Sequence, residues 1–172
     1  MKKYKSFETE RLFLRPSAIT DAPFVLELLN TPKWIKNIGD RNVKTLEDAE
    51  LYIKEKMLPQ LDRLGFGNYF ITRKTDNVTI GSCGLYDRDG LEGVDIGFAF
   101  LPEHEGQGYA YESAVKIKEI GINEFGVKKI SAITIEENVA SRKLIEKLGL
   151  TFQKMINLPD DDVELMLYTL EV

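Results

Sequence analysis

The chain has 172 residues, 43 % hydrophobic and 30 % charged, with a formal net charge of -5 and a pI near 5.1. That length and apolar content suit one domain spanning residues 1–172, while interspersed charges on an acidic balance argue against direct nucleic-acid binding and leave room for a basic peptide or amine. The lysine-bearing start, Met1-Lys2-Lys3-Tyr4-Lys5-Ser6, is not followed by an apolar run, no segment is long enough to span a bilayer, a single cysteine excludes an internal disulfide, and one cysteine with one histidine argues against the usual zinc site, so a cytoplasmic protein without metal or membrane contact is expected.

Residues 11–15 alternate charged and apolar side chains like a short strand, after which Thr20 is placed to cap a helix burying Phe24, Val25, Leu28 and Leu29, ended by Thr31-Pro32. Thr45 with Asp48 three residues on is a capping signal for a second helix carrying Leu46, Ala49, Tyr52, Ile53 and Met57, bent by Pro59 before Gly65. These helices are expected to flank the substrate entrance. Residues 68–74 and 78–86 read as strands joined at 75–77, and Asp87-Arg88-Asp89-Gly90 is a turn before a strand around Asp95. A helix from Tyr109 places Ala110, Ala114, Ile117 and Gly121 on one side, with Gly126 as its left-handed cap. A strand over 129–135, a helix after Asn138, and strands over 151–156 and 163–170 complete the chain. This order implies a mixed α/β sheet in which the strands ending near Leu101 and Ile135 run parallel, each followed by a helix.

The most informative stretch runs from Asp95 to Ala110: an apolar strand passes through a glycine-bearing turn, Glu105-Gly106-Gln107-Gly108, directly into the helix at Tyr109 and Ala110. Two glycines leave no side chain between turn and ligand, and the helix start offers unpaired N–H groups at its positive end, which is the chemistry of an anion site. No Lys-Ser or Lys-Thr closes the turn as in a P-loop, and the three-glycine dinucleotide spacing is missing. About thirty residues later the strand at 129–135 leads into Asn138-Val139-Ala140-Ser141 and on to Gly149. Gly-Gln-Gly-Tyr-Ala followed by Asn-x-x-Ser-x-x-Leu-x-x-x-x-Gly resembles the GNAT superfamily of acetyl-coenzyme A-dependent N-acetyltransferases. The opening Glu8-Thr9-Glu10-Arg11-Leu12-Phe13-Leu14-Arg15-Pro16, with Asp21-Ala22, is similar to the RimJ/RimL-like branch, named for ribosomal-protein N-terminal acetylation.

That resemblance implies a GNAT fold: a mostly antiparallel α/β (α+β) sheet of about six to seven strands with about four helices, whose parallel fourth and fifth strands splay to admit the pantetheine arm of acetyl-coenzyme A. The diphosphate would lie on Glu105, Gly106, Gln107, Gly108, Tyr109 and Ala110, with Asn138, Ser141 and Lys143 further along the carrier. Glu105 departs from the family, which usually has Arg or Gln there. A carboxylate beside a diphosphate opposes binding unless it points away or a cation such as Arg142, Lys143 or Lys147 offsets it.

Acetyl transfer to an amine needs a neutral amine, a stabilised oxyanion and a thiolate able to leave. At pH 7 a lysine amine is neutral in about 0.04 % of molecules and an α-amine in roughly 10 %, so an α-amine depends less on a base. Asp95, on the strand leading to the turn, is the first candidate base and Glu92 the second, with His104 and Glu103 as minor neighbours. Main-chain N–H groups of Phe98, Ala99, Phe100 and Leu101 are expected to hold the oxyanion. Many relatives use a tyrosine for the leaving sulfur where this chain has Ile145, and Ser141 is the available substitute. Asn138 also reads simply as a helix cap. Cys83, in an apolar strand, reads as packing, so direct attack in a ternary complex is expected rather than an acyl-cysteine route. Trp34, Tyr69 and Tyr86 are candidate walls of the acceptor pocket, although each also fits a core or rim role. The acceptor is then a primary amine, on a small molecule or a peptide such as a ribosomal-protein N-terminus, and the protein a monomer or homodimer. A catalytically weak coenzyme A-binding module is the alternative, suggested by Glu105 and Ile145.

Overall fold

The computed structural model describes residues 4–172, so the first three residues of the charged start, Met1 to Lys3, lie outside the described residues. Eight strands form one sheet in the order β1-β2-β3-β4-β5-β6-β8-β7: β1 (Phe7–Glu8), β2 (Leu12–Pro16), β3 (Asn68–Arg73), β4 (Thr79–Tyr86), β5 (Val94–Phe100), β6 (Lys129–Thr134), β7 (Thr151–Ile156) and β8 (Leu165–Glu171). All neighbours are antiparallel except β5 and β6. The parallel pair is fifth and sixth, and the strand count eight, because the two-residue β1 folds back on β2. The Thr9 hydroxyl accepts from the Leu12 N–H at 3.0 Å in that turn, and a strand this short leaves no alternation to read.

Five helical units flank the sheet. α1 (Ala22–Leu29) is entered through a 3₁₀ turn at Ile19–Asp21, and Thr20 is not its cap. Instead the Asp21 carboxylate accepts from the Ala18 N–H at 2.8 Å and from both terminal nitrogens of Arg15 at 2.9 and 2.6 Å. Thr31-Pro32 opens a second helix as well as closing the first: the Thr31 hydroxyl accepts the Trp34 N–H at the start of α2 (Pro32–Asn37), with Pro32 at the position where a missing N–H costs nothing. Thr45 and Asp48 form the reciprocal capping box of α3 (Leu46–Tyr52). The rod continues through a π turn (Ile53–Met57) into α4 (Leu58–Leu64) and stops at Gly65. α5 (Tyr109–Asn123) and α6 (Val139–Lys147) follow β5 and β6, and Gly126 takes the left-handed conformation just beyond α5.

Strand alternation sorts the core into two layers. Tyr69, Ile71, Cys83, Leu85, Ile96 and Phe100 turn to one face, where they meet Ala114, Ile117 and Ile120 of α5 and Ile145 of α6. Phe70 turns to the other, packing with Val25, Leu28 and Leu29 of α1 and Ala49 of α3. No helix among the described residues is long and apolar enough to cross a membrane.

Candidate active site

The two parallel strands touch only where they begin. Val94 is paired with Ile130 and Asp95 with Ser131, after which β5 runs on to Phe100 and β6 to Thr134 without another partner pair. The sheet therefore opens as a wedge toward the C-terminal ends of both strands. Along its walls every second residue points its N–H and C=O into the gap, since only the outer side of each strand has a ladder partner. In an α/β sheet this is where ligands bind.

Asp95 stands at the apex of the wedge. It is 2 % exposed, its Oδ2 accepts from Arg88 Nε at 2.9 Å, and its Oδ1 is buried without a hydrogen-bond partner. Burial pushes the carboxyl up to about 6 against the opposing pull of Arg88 and, more weakly, of the Ile133 N–H on β6. Its cross-strand neighbour Tyr86 lies on the same face, the phenol donating to Asn68 Oδ1 at 2.7 Å and Asn68 Nδ2 in turn donating to Ser17 Oγ at 2.8 Å. The ring rests on Gly97, where a Cβ would come within 2.9 Å of Tyr86 Cε2. Burial raises this phenol far above its usual range, so it stays protonated.

Glu92 is placed elsewhere. Its side chain is 84 % exposed and ion-paired to Lys129 at 2.7 Å, which holds it below the usual carboxylate range, the reverse of what a base near neutrality needs. Tyr69 belongs to the opposite face, 1 % exposed with its ring tilted against that of Phe7, its phenol pushed up to about 12 by burial. Phe98 and Phe100 also turn toward α5, whereas Ala99 and Leu101 pack with the α1 layer together with Trp34, whose indole Nε1 is buried without a partner. Cys83 is fully buried, and burial pushes its thiol up to about 12.

The turn at the mouth of the wedge is open. Gly106 and Gly108 have φ of 71° and 82°, values that L side chains rarely adopt, and a Cβ at Gly106 would meet nothing within 4 Å. No acceptor among the described residues takes the N–H groups of Gly106, Gln107 or Gly108, and no side chain caps α5. Unpaired donors beside the helix's positive end, with open space over Gly106, make an arrangement able to hold an anion. Arg11 braces the turn from behind: its guanidinium donates to the Gln107 carbonyl at 3.0 Å, lies 4.4 Å from the Tyr109 ring centroid, and pairs with Glu112 at 2.6 Å. His104 Nδ1 is 3.5 Å from Arg73 Nη1, an ordinary loop contact.

Glu105 is neutralised, but not by the expected cations. Lys33 of α2 reaches it at 2.6 Å, while Arg142 donates to the Glu136 carbonyl, Lys147 sits 3.9 Å from the Tyr111 ring centroid, and Lys143 is exposed. Asn138 caps α6, accepting the Ser141 N–H at 3.3 Å and leaving the Ser141 hydroxyl without a hydrogen bond among the described residues. Lys33, Arg11 and Arg88 were not legible as site residues. Each acts through a side chain brought to it by the fold, and the one available signal was a cation in the turn preceding Asp95.

The model of the acetyltransferase (GNAT) domain matches residues 11–151. The chain belongs to the GNAT acetyltransferase family. Among relatives of this GNAT enzyme, "Uncharacterized N-acetyltransferase p20" of Bacillus licheniformis is 32 % identical over 149 residues, covering 85 % of this chain and 81 % of its own. An acetyltransferase structure from Agrobacterium tumefaciens superposes with a TM-score of 0.83 at 21 % identity, covering 100 % of this chain and 97 % of that one. The RimL ribosomal L7/L12 α-N-protein acetyltransferase, solved in complex with coenzyme A, gives 0.82 at 16 % identity over 98 % of each chain. These structures establish a shared fold.

Proposed function

We propose that the protein transfers an acetyl group from acetyl-coenzyme A to a primary amine by direct attack within a ternary complex, in the manner of the RimJ/RimL-like branch, with a protein α-amine or a small amine as acceptor. The observation that carries this reading is Asp95, a buried carboxylate with one free oxygen at the apex of the wedge, raised to about 6. Such a group is largely ionised at pH 7 yet basic enough to take a proton, the balance a general base needs. It suits an α-amine, whose proton is lost more readily than that of a lysine.

Acetyl-coenzyme A would supply the acetyl group as a thioester, whose C–S bond breaks as the acceptor's C–N bond forms. The backbone donors of Gly106, Gln107 and Gly108 and the start of α5 would hold its diphosphate, with Lys33 neutralising Glu105 beside them. The Leu101 N–H is spent on the Ile80 carbonyl at 3.0 Å, so the donors that would stabilise negative charge on the carbonyl oxygen are those N–H groups of residues 98–100 that face the wedge. The unengaged Ser141 hydroxyl would donate to the departing sulfur, a modest demand for a thiol of pKa about 8.5. Trp34 and Tyr86, on the face that Asp95 shares, would wall the acceptor pocket. The Lys33 pairing speaks to one of the two grounds for a catalytically weak coenzyme A-binding module, Glu105, while the other, Ile145 where relatives carry tyrosine, is met by Ser141 in this reading.

Calorimetry with acetyl-coenzyme A, followed by thiol release in the presence of small amines and of peptides with free α-amines, tests the proposal. Saturable binding and acceptor-dependent release are expected. Binding without release for any amine would favour the module, and no binding at millimolar ligand would remove both readings.

A further inference from the structure

A carboxylate on a strand turns about its last torsion with little resistance, so a lone Asp95 could present either oxygen to the wedge. Arg88 removes that freedom. It lies in the turn between β4 and β5, with its side chain 36 % exposed, and reaches seven residues ahead to place Nε at 2.9 Å from Asp95 Oδ2. Its guanidinium carbon is also 6.0 Å from the centroid of the Tyr86 ring. The other polar neighbours are committed elsewhere: the Tyr86 phenol donates to Asn68, and the Ser131 hydroxyl, across the parallel pair, donates to the Glu92 carbonyl at 3.0 Å. Arg88 is thus the one side chain among the described residues that hydrogen-bonds Asp95; the Ile133 N–H of β6 adds a weaker pull on the carboxyl, and Oδ1 has no partner at hydrogen-bond distance.

Resting on the reading of Asp95 as proton acceptor, we infer that Arg88 is a positioning residue: by tying Oδ2 and supplying a fixed countercharge, it commits Oδ1 to the ammonium of the incoming acceptor. The proton then moves from the acceptor nitrogen to Oδ1. One N–H bond breaks, one O–H bond forms, and the nitrogen lone pair is freed for attack. Arg88 exchanges no proton, since a guanidinium does not deprotonate in proteins. Its countercharge also opposes the desolvation that raises Asp95, so its loss leaves the base protonated to higher pH.

The test compares Arg88→Gln, Arg88→Lys, Asp95→Asn and the Arg88→Gln/Asp95→Asn double variant by three readouts: acetyl-coenzyme A affinity, thiol release between pH 5.5 and 9 with spermidine and an alanine-initiated basic peptide as acceptor probes, and carbon-13 titration of the Asp95 carboxyl. For Arg88→Gln we expect a fall in kcat of about tenfold or more, within the range general-base catalysis contributes, an acidic limb moved to higher pH, and cofactor affinity within about twofold of the parent. Arg88→Lys should recover part of both rate and pH position, and Arg88→Gln should add nothing to Asp95→Asn. An Arg88→Gln enzyme whose pH profile and carboxyl titration match the parent, beside an inactive Asp95→Asn, overturns this inference alone. Full activity of Asp95→Asn instead overturns the proton-acceptor reading beneath it. The carboxyl titration needs no turnover, so an unshifted titration in Arg88→Gln overturns the inference even where both probes prove to be poor acceptors.

Discussion

Replacing Asp95 by Asn should raise stability relative to the parent progressively as pH rises, while abolishing acceptor-dependent turnover. The carboxyl is raised from 3.8 to about 6 by burial, so the folded protein keeps a proton that the unfolded chain releases between those values. Unfolding is then linked to proton release, and the native state loses stability as pH rises through that window. At about 1.4 kcal/mol for each pH unit of difference, the full effect is about 3 kcal/mol, of which roughly 2 kcal/mol falls between pH 4.5 and 8. An asparagine of the same shape has no such slope, and its amide oxygen can still accept from Arg88 Nε. Urea unfolding of both proteins across that pH range, read as the difference in free energy, isolates the effect because the other carboxylates titrate alike in both. The advantage of Asp95→Asn should grow by about 2 kcal/mol from pH 4.5 to 8. A difference that stays flat with pH would show that Asp95 is not held ionised against its surroundings, and the argument for it as a tuned base would fail.

Lys33→Ala should weaken acetyl-coenzyme A binding several-fold by exposing the Glu105 charge to the diphosphate, and adding Glu105→Gln should restore it; a calorimetric titration in which the second change brings no recovery would separate the pair from the cofactor turn. Asn138→Ala should cost about 1 kcal/mol of stability through loss of the α6 cap, whereas Asn138→Asp keeps the cap, so a change in cofactor affinity in the aspartate variant marks a contact beyond capping, and an unchanged affinity leaves the cap alone. Gly97→Ala should push the Tyr86 ring from its seat on the sheet and lower turnover more than cofactor affinity, measured by thiol release beside calorimetry; equal losses in both would place the damage in the wedge as a whole.

Local chemistry was legible in the sequence, and long-range pairing was not. The Thr45–Asp48 capping box, the left-handed Gly126, and the parallel strands each followed by a helix depend on near neighbours or on element order, and the structure has all of them. Thr20 failed as a cap because Arg15 and the Ala18 N–H recruit Asp21 and draw the chain into a tighter turn first. α2 escaped notice because Thr31-Pro32 is both a stop and a start, and six residues give no periodicity to detect. Lys33 meets Glu105 across 72 positions and Arg11 meets Glu112 across 101, separations at which no spacing rule operates. Tyr69 and Tyr86 looked equivalent as aromatic wall residues, yet cross-strand register sends them to opposite faces of the sheet, a one-residue matter of parity that strand boundaries alone do not decide.

Two rungs are all that rivet one half of the sheet to the other at β5 and β6, so backbone bonding contributes little to keeping the halves aligned. That task falls to the apolar layer under α5 and α6, which draws on strands from both sides of the seam. Oil-like cohesion tolerates small sliding and tilting that a full ladder would forbid, and it weakens in mild denaturant while strand pairs within each half persist. The seam is therefore the place where the molecule yields first, and mild denaturant should silence the enzyme well before either half unravels.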